Sequence, residues 1–321
     1  MLIHRLTPVL LSFIFCATAA AQSYPVKPIR IIIPSGAGGA YDVVVRGIQG
    51  MLGQELGQPL IIENRPGAGG IIGLEAVSRA KSDGYTLLQG GISPIVLNPL
   101  FVDRVPYDPV TSFTHIAMLG ELVMALYVHK STGATDFKGL VAYAKANPGK
   151  VAYGSSGVGQ SFHLAGEMLK LRTGMDIVHA PYKGTALALQ DFYAGRLLMQ
   201  FYPPNGAILG RVKQGTIIPV AAMSDKRLPQ LPNVPTFGEL GVGDLGVSGW
   251  GGFSGPANLP KEVVTRINQV VNKVTSTPES LQVMAKMTMA PLHTTSEEMT
   301  ARIVREIAFW KDIVAKLGLR K

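Results

Sequence analysis

Short apolar, β-branched runs alternate along this chain with longer stretches in which apolar positions recur every three or four residues. Residues 29–33 read as a buried strand, 41–56 as a helix, 60–62 as a second strand, 70–80 as a second helix and 85–88 as a third strand. That βαβαβ order predicts a parallel sheet covered by helices. The alternation resumes with a strand at 123–128, a helix at 137–146, a strand at 151–153 and a helix at 161–172. It continues through 177–179, 185–193, 197–201 and 217–222. There is no fixed-period repeat and no low-complexity tract.

Beyond residue 225 the texture changes. Residues 228–249 are rich in Pro and Gly and read as an extended crossing segment, and three helices close the chain. Pro260 sits at a first helical position, with Val263, Val264, Ile267, Val270, Val271 and Val274 on one face. The last helix opens on Thr295-Ser296-Glu297-Glu298, a capping-box spacing. Met299, Ile303, Ile307, Trp310, Val314 and Leu317 then form one stripe. With few strands of their own, these helices are expected to complete the first lobe. The chain then crosses between lobes twice, near 119–122 and near 222–225, which makes a hinge with a cleft, the usual place for a small ligand. The expected organisation is a leader over 1–21, a discontinuous first lobe over 22–121 and 225–321, and a second lobe over 122–224.

The leader has three parts: a short segment with one positive charge (Arg5), a mostly apolar run over 6–15, and Ala19-Ala20-Ala21 as a signal-peptidase site. The run is too short for a membrane anchor, which takes about 20 apolar residues. Bulky Phe15 before Cys16 argues against a lipoprotein site, so Cys16 leaves with the leader. Removing 21 of 321 residues leaves 300, with no cysteine, which excludes thiol catalysis and Cys-ligated metals. It also leaves 29 Lys and Arg against 21 Asp and Glu. That excess suits acidic ligands. Nucleic acid is not expected, because the basic residues are scattered, with only pairs such as Lys226-Arg227 and Arg320-Lys321 and no aromatic-basic stripe.

Three glycine-rich loops follow predicted strands and precede predicted helices. They are Pro34-Ser35-Gly36-Ala37-Gly38-Gly39-Ala40-Tyr41-Asp42, Arg65-Pro66-Gly67-Ala68-Gly69-Gly70 and Gly154-Ser155-Ser156-Gly157-Val158-Gly159-Gln160-Ser161. Glycine lets the backbone come close to a ligand, and a helix N-terminus adds unpaired N–H groups and partial positive charge. Strand, loop and helix in that order make an anion site, although the same loops also serve as plain turns. The first and third belong to different lobes, where two loops facing each other would clamp one anion. Asp42, in the first helical turn, reads as a dipole-favourable acid or cap rather than a ligand contact. A dinucleotide fingerprint fails, since the third glycine is replaced by Tyr41 or Phe162. There is no phosphate-binding G-x-x-x-x-G-K-[ST] and no G-x-S-x-G. H-E-x-x-H is absent too, and the five histidines that remain (His115, His129, His163, His179 and His293) form no close pair. His163 and His179 read as helix-end and strand-end packing residues rather than metal ligands.

In order along the chain stand Tyr24-Pro25-x-Lys27-Pro28-Ile29-Arg30, Pro34-x-x-x-Gly38-Gly39-x-x-Asp42, Glu63-Asn64-Arg65-Pro66-Gly67-Ala68-Gly69-Gly70 and Asp83-Gly84-Tyr85-Thr86-Leu87-Leu88. Asn147-Pro148-Gly149-Lys150, Gly154-Ser155-Ser156-Gly157-x-Gly159, His179-x-Pro181-Tyr182-Lys183-Gly184 and Leu231-Pro232-x-Val234-Pro235-Thr236 follow. Together they resemble the substrate-binding proteins of tripartite tricarboxylate transporters, the Bug-type receptors. The resemblance implies an α/β fold of the type II periplasmic binding protein kind. Its two lobes, each a sheet flanked by helices, close like a Venus flytrap on an organic acid: a di- or tricarboxylate, an aromatic acid or an acidic amino acid. It implies a periplasmic, monomeric receptor that delivers its ligand to transporter membrane subunits, with no cofactor, metal or catalysis. The loops that grip carboxylates in the family, partly through waters, fall here on 35–41 and 155–161. The site expected on that basis is Ser35, Gly36, Ala37, Gly38, Gly39 and Tyr41 from the first lobe, with Ser155, Ser156, Gly157, Gly159 and Ser161 from the second. Gly91 and Tyr202 join them, and mark departures: members often have Thr where this chain has Gly91, and Asp where it has Tyr202. Two other readings remain, a ligand-dependent sensor for a membrane signalling protein, and a secreted hydrolase using Ser155 or Ser156 with His163 or His179. The second lacks a nucleophile elbow or ordered triad.

The leader generates a direct prediction. Expressed in its host, the protein begins at Gln22 and is released by osmotic shock; N-terminal sequencing that finds Met1 on cytosolic protein contradicts it.

Overall fold

The computed structural model describes residues 24–101, 104–182, 184–247, 249–316 and 318. The leader with its cleavage site, Lys183, Leu317 and the Arg320-Lys321 pair lie outside the described residues.

Two sheets carry the molecule. The first is ordered β11-β4-β10-β3-β1-β2, and the second β7-β6-β8-β5-β9. In the first, β1 (Ile29–Ile33) runs parallel to β2 (Leu60–Asn64) and β3 (Thr86–Gly91), as the βαβαβ pattern requires, with α1 (Ala40–Leu56) and α2 (Ile71–Ser78) as the crossovers. A π-helical turn at Ser93–Leu97 and α3 (Asn98–Phe101) follow. The sheet is mixed rather than parallel throughout. β4 (Phe113–Leu122) and β10 (Gly249–Pro256) pair with each other and β10 with β3, all antiparallel, and the short β11 (Met289–Pro291) lies antiparallel on β4.

At Val123 the chain passes into the second sheet. There β5 (Met124–His129) lies antiparallel to β8 (Met199–Tyr202) and β9 (Ile217–Met223), and β6 (Val151–Ser155) lies parallel to β7 (Ile177–Pro181) and β8. α4 (Phe137–Ala146), α5 (Ser161–Thr173), α6 (Thr185–Tyr193) and α7 (Gly206–Lys213) link these strands. The chain returns through 224–248 to β10, where Gly249 pairs with Leu122 at the end of the outgoing strand. Both crossings therefore lie side by side, but the return comes after residue 243 rather than near 222–225, since Ala222 N–H donates to the Pro235 carbonyl and Leu228, Leu231 and Val234 pack with β5 and β9.

β4 and β10 have no counterpart in the sequence reading, and their composition explains why. β4 is buried along most of its length, so it lacks alternation. β10 reads Gly-Trp-Gly-Gly-Phe-Ser-Gly-Pro, which resembles a loop. Its glycines are dictated by packing instead: a Cβ on Gly252 would sit 2.6 Å from the Ala117 carbonyl oxygen, and one on Gly251 2.3 Å from the Tyr41 ring.

The closing helices, α8 (Lys261–Thr275), α9 (Pro278–Lys286) and α10 (Ser296–Lys316), pack on the first sheet or on α1. α8 buries Val263, Ile267, Val270, Val271 and Val274, with Val264 only half-buried, and Pro260 is its N-cap rather than its first helical residue. α10 buries Met299, Ile303, Trp310 and Val314. Its capping box is complete: Glu298 N–H donates to Thr295 Oγ1 at 3.1 Å, and Thr295 N–H to Glu298 Oε2 at 2.8 Å.

Candidate functional site

A cavity of about 440 Å³ lies between the two sheets. From the first it is lined by Pro34, Ser35 and Tyr41, by Gly67, Gly69 and Gly70, by 89–94, and by Leu122, Gly249 and Trp250 at the hinge. From the second come Met124, Ser156, Gln160, Ser161, Phe162, Thr185 and Pro203. None of these residues carries a charged side chain. Ser35, Gln89, Ser93, Ser156, Gln160, Ser161 and Thr185 supply polar groups, while Tyr41, Ile92, Leu122, Met124, Phe162 and Trp250 supply apolar walls.

Four helices start at this cavity, and none has a side-chain cap. The N-caps are Gly39 for α1, Gly70 for α2, Gln160 for α5 and Gly184 for α6. Away from it, Asp136 caps α4, Asn205 caps α7 and Thr277 caps α9, each accepting an N–H of its own first turn. Only α8, at Pro260, begins uncapped elsewhere among the described helices whose N-caps are assigned. An uncapped helix leaves first-turn N–H groups for solvent or a ligand, apart from the Ile71 N–H of α2, which donates to the Ala68 carbonyl. Their dipoles add positive potential where, among the described residues, no Lys or Arg lines the cavity. The first turns of α2, α5 and α6 hold no acid.

The first turn of α1 does hold one, Asp42, and its carboxylate is fully engaged. It accepts the Gly38 N–H at 2.9 Å, Asn64 Nδ2 at 2.9 Å and Arg46 Nε at 3.0 Å. Burial alone would raise its pKa, but these partners outweigh it and hold the group below the usual aspartate range. Asp42, expected as a dipole-favourable acid or cap, thus braces the first glycine loop at Gly38, one residue before the N-cap Gly39, and makes no cap bond of its own.

The second lobe braces its loop differently. Gly159 N–H donates to His163 Nδ1 at 3.0 Å, and Gly157 N–H to Ser155 Oγ at 3.1 Å. Ser155 Oγ meets His179 Nε2 at 2.6 Å and donates to the Gly157 carbonyl at 2.9 Å. The His163 and His179 rings, with no close pairing in sequence, stack with centroids 4.1 Å apart. Tyr153 OH ties this cluster to the His163 carbonyl and to Glu167, which Lys170 pairs. Burial lowers the pKa of both histidines, most for His179, to about 4, with His163 beside it adding to the shift. The rings are therefore neutral at ordinary pH, and His163 keeps Nδ1 free to accept.

The expected site residues accordingly fall into groups. Ser35, Tyr41, Gly91, Ser156 and Ser161 line the cavity. Gly36, Ala37, Gly38 and Gly39 form an exposed loop beside it, outside the lining. Ser155, Gly157 and Gly159 belong to the bracing network behind it. Tyr202 stands against Phe162, with ring centroids 6.4 Å apart, and its neighbour Pro203 takes the place in the lining. At Gly91 a Cβ would come within 2.6 Å of the Trp250 carbonyl oxygen, so the wall is backbone there. Reasoning from sequence did not place Gln89, Ser93, Leu122, Met124, Phe162, Thr185 or Trp250 in the site. Trp250 is fixed from behind: its indole N–H donates to Glu306 Oε2 at 2.6 Å, and Glu306 in turn pairs with Arg302 at 2.8 Å.

A model of the family described as the tripartite tricarboxylate transporter family receptor matches residues 44–319. The chain belongs to this family. It is 30% identical to the protein BugT of Bordetella pertussis, over 96% of each chain. Among solved structures it resembles the R. palustris protein Rpa4515 with adipate, at 30% identity and a TM-score of 0.79, covering 92% of this chain and 98% of that one. It also resembles the periplasmic binding protein BugD, at 29% identity and a TM-score of 0.77, covering 93% and 100%. The two-lobed α/β fold expected from the sequence is the fold of these relatives. The family is one of receptors, not enzymes. The contact of Ser155 with His179 accords with that, since Ser155 is fully buried and outside the lining.

The buried histidines set an acid sensitivity with a definite sign. Their folded values lie below the ordinary 6.5, so the unfolded chain takes up protons first as pH falls. Their contribution to stability is complete above about 6.5 and is lost as pH falls below it, for His179 toward about 4. Buried His115, also lowered to about 4, acts in the same direction. Urea midpoints are expected to fall between pH 7 and pH 5, and to fall less in His163→Asn, whose amide oxygen replaces Nδ1. An equal fall in both proteins contradicts this assignment.

Proposed function

We propose that this receptor, exported to the periplasm after removal of residues 1–21, captures an organic acid without an ammonium group in the cleft and presents it to transporter membrane subunits. The observation that carries the reading is the meeting of four helix starts without side-chain caps at a cavity that, among the described residues, no charged side chain lines. Such a site attracts an anion through N–H groups and hydroxyls. It offers no carboxylate to an ammonium, so an amino acid would desolvate its cation without a partner, which is costly. The apolar walls of Tyr41, Ile92, Met124, Phe162 and Trp250 suit a hydrocarbon or aromatic body. The adipate held by the related R. palustris protein has that chemistry: carboxylates on an aliphatic chain. The loops over 35–41 and 155–161, each braced from beneath, are the parts we assign to gripping the acid. We assign the first lobe to residues 24–122 and 249–316 and the second to 123–243, because Leu122 ends a strand of the first sheet while Leu228, Leu231 and Val234 pack with β5 and β9 of the second.

Calorimetry against a panel of aliphatic dicarboxylates, aromatic acids, glutamate and aspartate tests this. An acid lacking the amino group is expected to bind most tightly. Ser156→Ala and Thr185→Val are each expected to weaken it by about 1.5–3 kcal/mol, the worth of a hydrogen bond to a charged group. Preference for glutamate or aspartate over every other acid contradicts the reading of the ligand.

A further inference from the structure

The cleft is spanned by contacts that come from one segment, some made by lining residues (Ser93, Gln160 and Ser161) and some by residues behind the lining (Asn98 and Phe101). The π-helical turn Ser93–Leu97 and α3 project from the first lobe onto the start of α5 in the second. Asn98, only 6% exposed, bridges the lobes with both ends of its amide. Its Nδ2 donates to the Gly69 carbonyl of the second glycine loop, and its Oδ1 accepts from Gln160 Nε2, the N-cap of α5, at 3.3 Å. Beside it the Phe101 ring lies under Gly159, where a Cβ would come within 2.8 Å of the ring; the backbone there has φ +79°. Glycine is thus needed for both the close approach and the turn. Ser93 Oγ and Ser161 Oγ stand 3.2 Å apart at the cleft edge. π-Helical turns are rare and concentrate at functional positions.

Neither Asn98 nor Phe101 lines the cavity, yet both touch the loop that bounds it on the far lobe. We infer that Asn98 and Phe101 form a latch that holds the two lobes together over the cleft. They set how much of the protein is closed without touching the acid. A ligand selects the closed population, so its apparent affinity scales with the fraction already closed. The inference rests on the reading of the protein as a two-lobed receptor that opens and closes. It does not depend on which acid is bound.

A cross-link reads the closed population with no ligand present. The chain has no cysteine after the leader, so Ser93→Cys/Ser161→Cys places a single pair of thiols across the cleft. Under mild oxidation this protein is expected to form the intramolecular disulfide. Adding Asn98→Ala or Phe101→Ala is expected to slow its formation about tenfold, the effect of roughly one lost contact on the closed population. The urea midpoint of the ligand-free protein is expected to stay in place in Phe101→Ala, which leaves the Asn98 bond to the Gly69 carbonyl within the first lobe intact. Rates that neither variant changes overturn the latch, as does the absence of any disulfide in the parent pair. In Phe101→Ala a slowed rate together with a matching loss of stability overturns it too, since that shows Phe101 supporting the fold alone. Failure of the carboxylate panel with slowed cross-linking would instead overturn the ligand and leave the latch standing.

Discussion

Helix starts need partners, and in this protein four of them meet a single gap without a side-chain cap. The first N–H groups of any α-helix have no acceptor within the helix. α4, α7 and α9 meet that need with Asp136, Asn205 and Thr277. α1, α2, α5 and α6 have Gly or Gln at that place and open onto the cavity. Everything else about the site follows from keeping those N–H groups available and facing one another. Parallel strands β1, β2 and β6 deliver them from the same ends of two sheets, and the two crossings at Leu122 and Gly249 keep the sheets hinged.

A glycine loop left free would collapse onto its own donors, and each lobe prevents this with a residue four positions along. In the first lobe Asp42 accepts from Gly38, and in the second His163 accepts from Gly159. The two braces differ in charge. Asp42 brings a negative charge that Arg46 offsets, whereas His163 and His179 bring none while they stay neutral. The brace of the second lobe is therefore itself uncharged, and Glu167 behind it is paired with Lys170. The acid sensitivity of the histidine cluster follows from the same arrangement. On the hinge side, Glu306 pins Trp250, so the apolar wall is as firmly positioned as the polar loops.

Much of this was legible in the sequence. The strand at 29–33 and the helices at 137–146 and 185–193 were bounded as the structure has them, because β-branched runs and three-to-four periodicity report burial directly. Asp42 was legible as an acid in the first turn rather than a ligand contact, but not as the brace of the Gly38 loop. Other parts had no local signature. His163 makes the same four-residue bond as Asp42, but a histidine at a helix start looks the same whether it braces a loop or packs a core. β10 was hidden by glycines that exist for Ala117 and Tyr41, far away in sequence. Of the cavity walls, Met124, Phe162 and Trp250 read as ordinary buried apolar residues. A hydrophobic pattern shows that a side chain leaves water, not whether it meets a neighbour or a gap. Contacts such as Ser93 with Ser161 exist only once two lobes are brought together.

The central claim is that an anion is held here by helix N–H groups and hydroxyls in the absence of a cationic side chain. The measurement that bears on it most directly is a crystal structure of the complex with the tightest-binding acid. The account predicts carboxylate oxygens at hydrogen-bond distance, about 2.7–3.2 Å, from first-turn N–H groups or from Ser156, Ser161 and Thr185, either directly or through one water. It predicts no Lys or Arg nitrogen within about 4 Å of them. A carboxylate paired with a Lys or Arg side chain, or an acid bound outside the cleft, would contradict it.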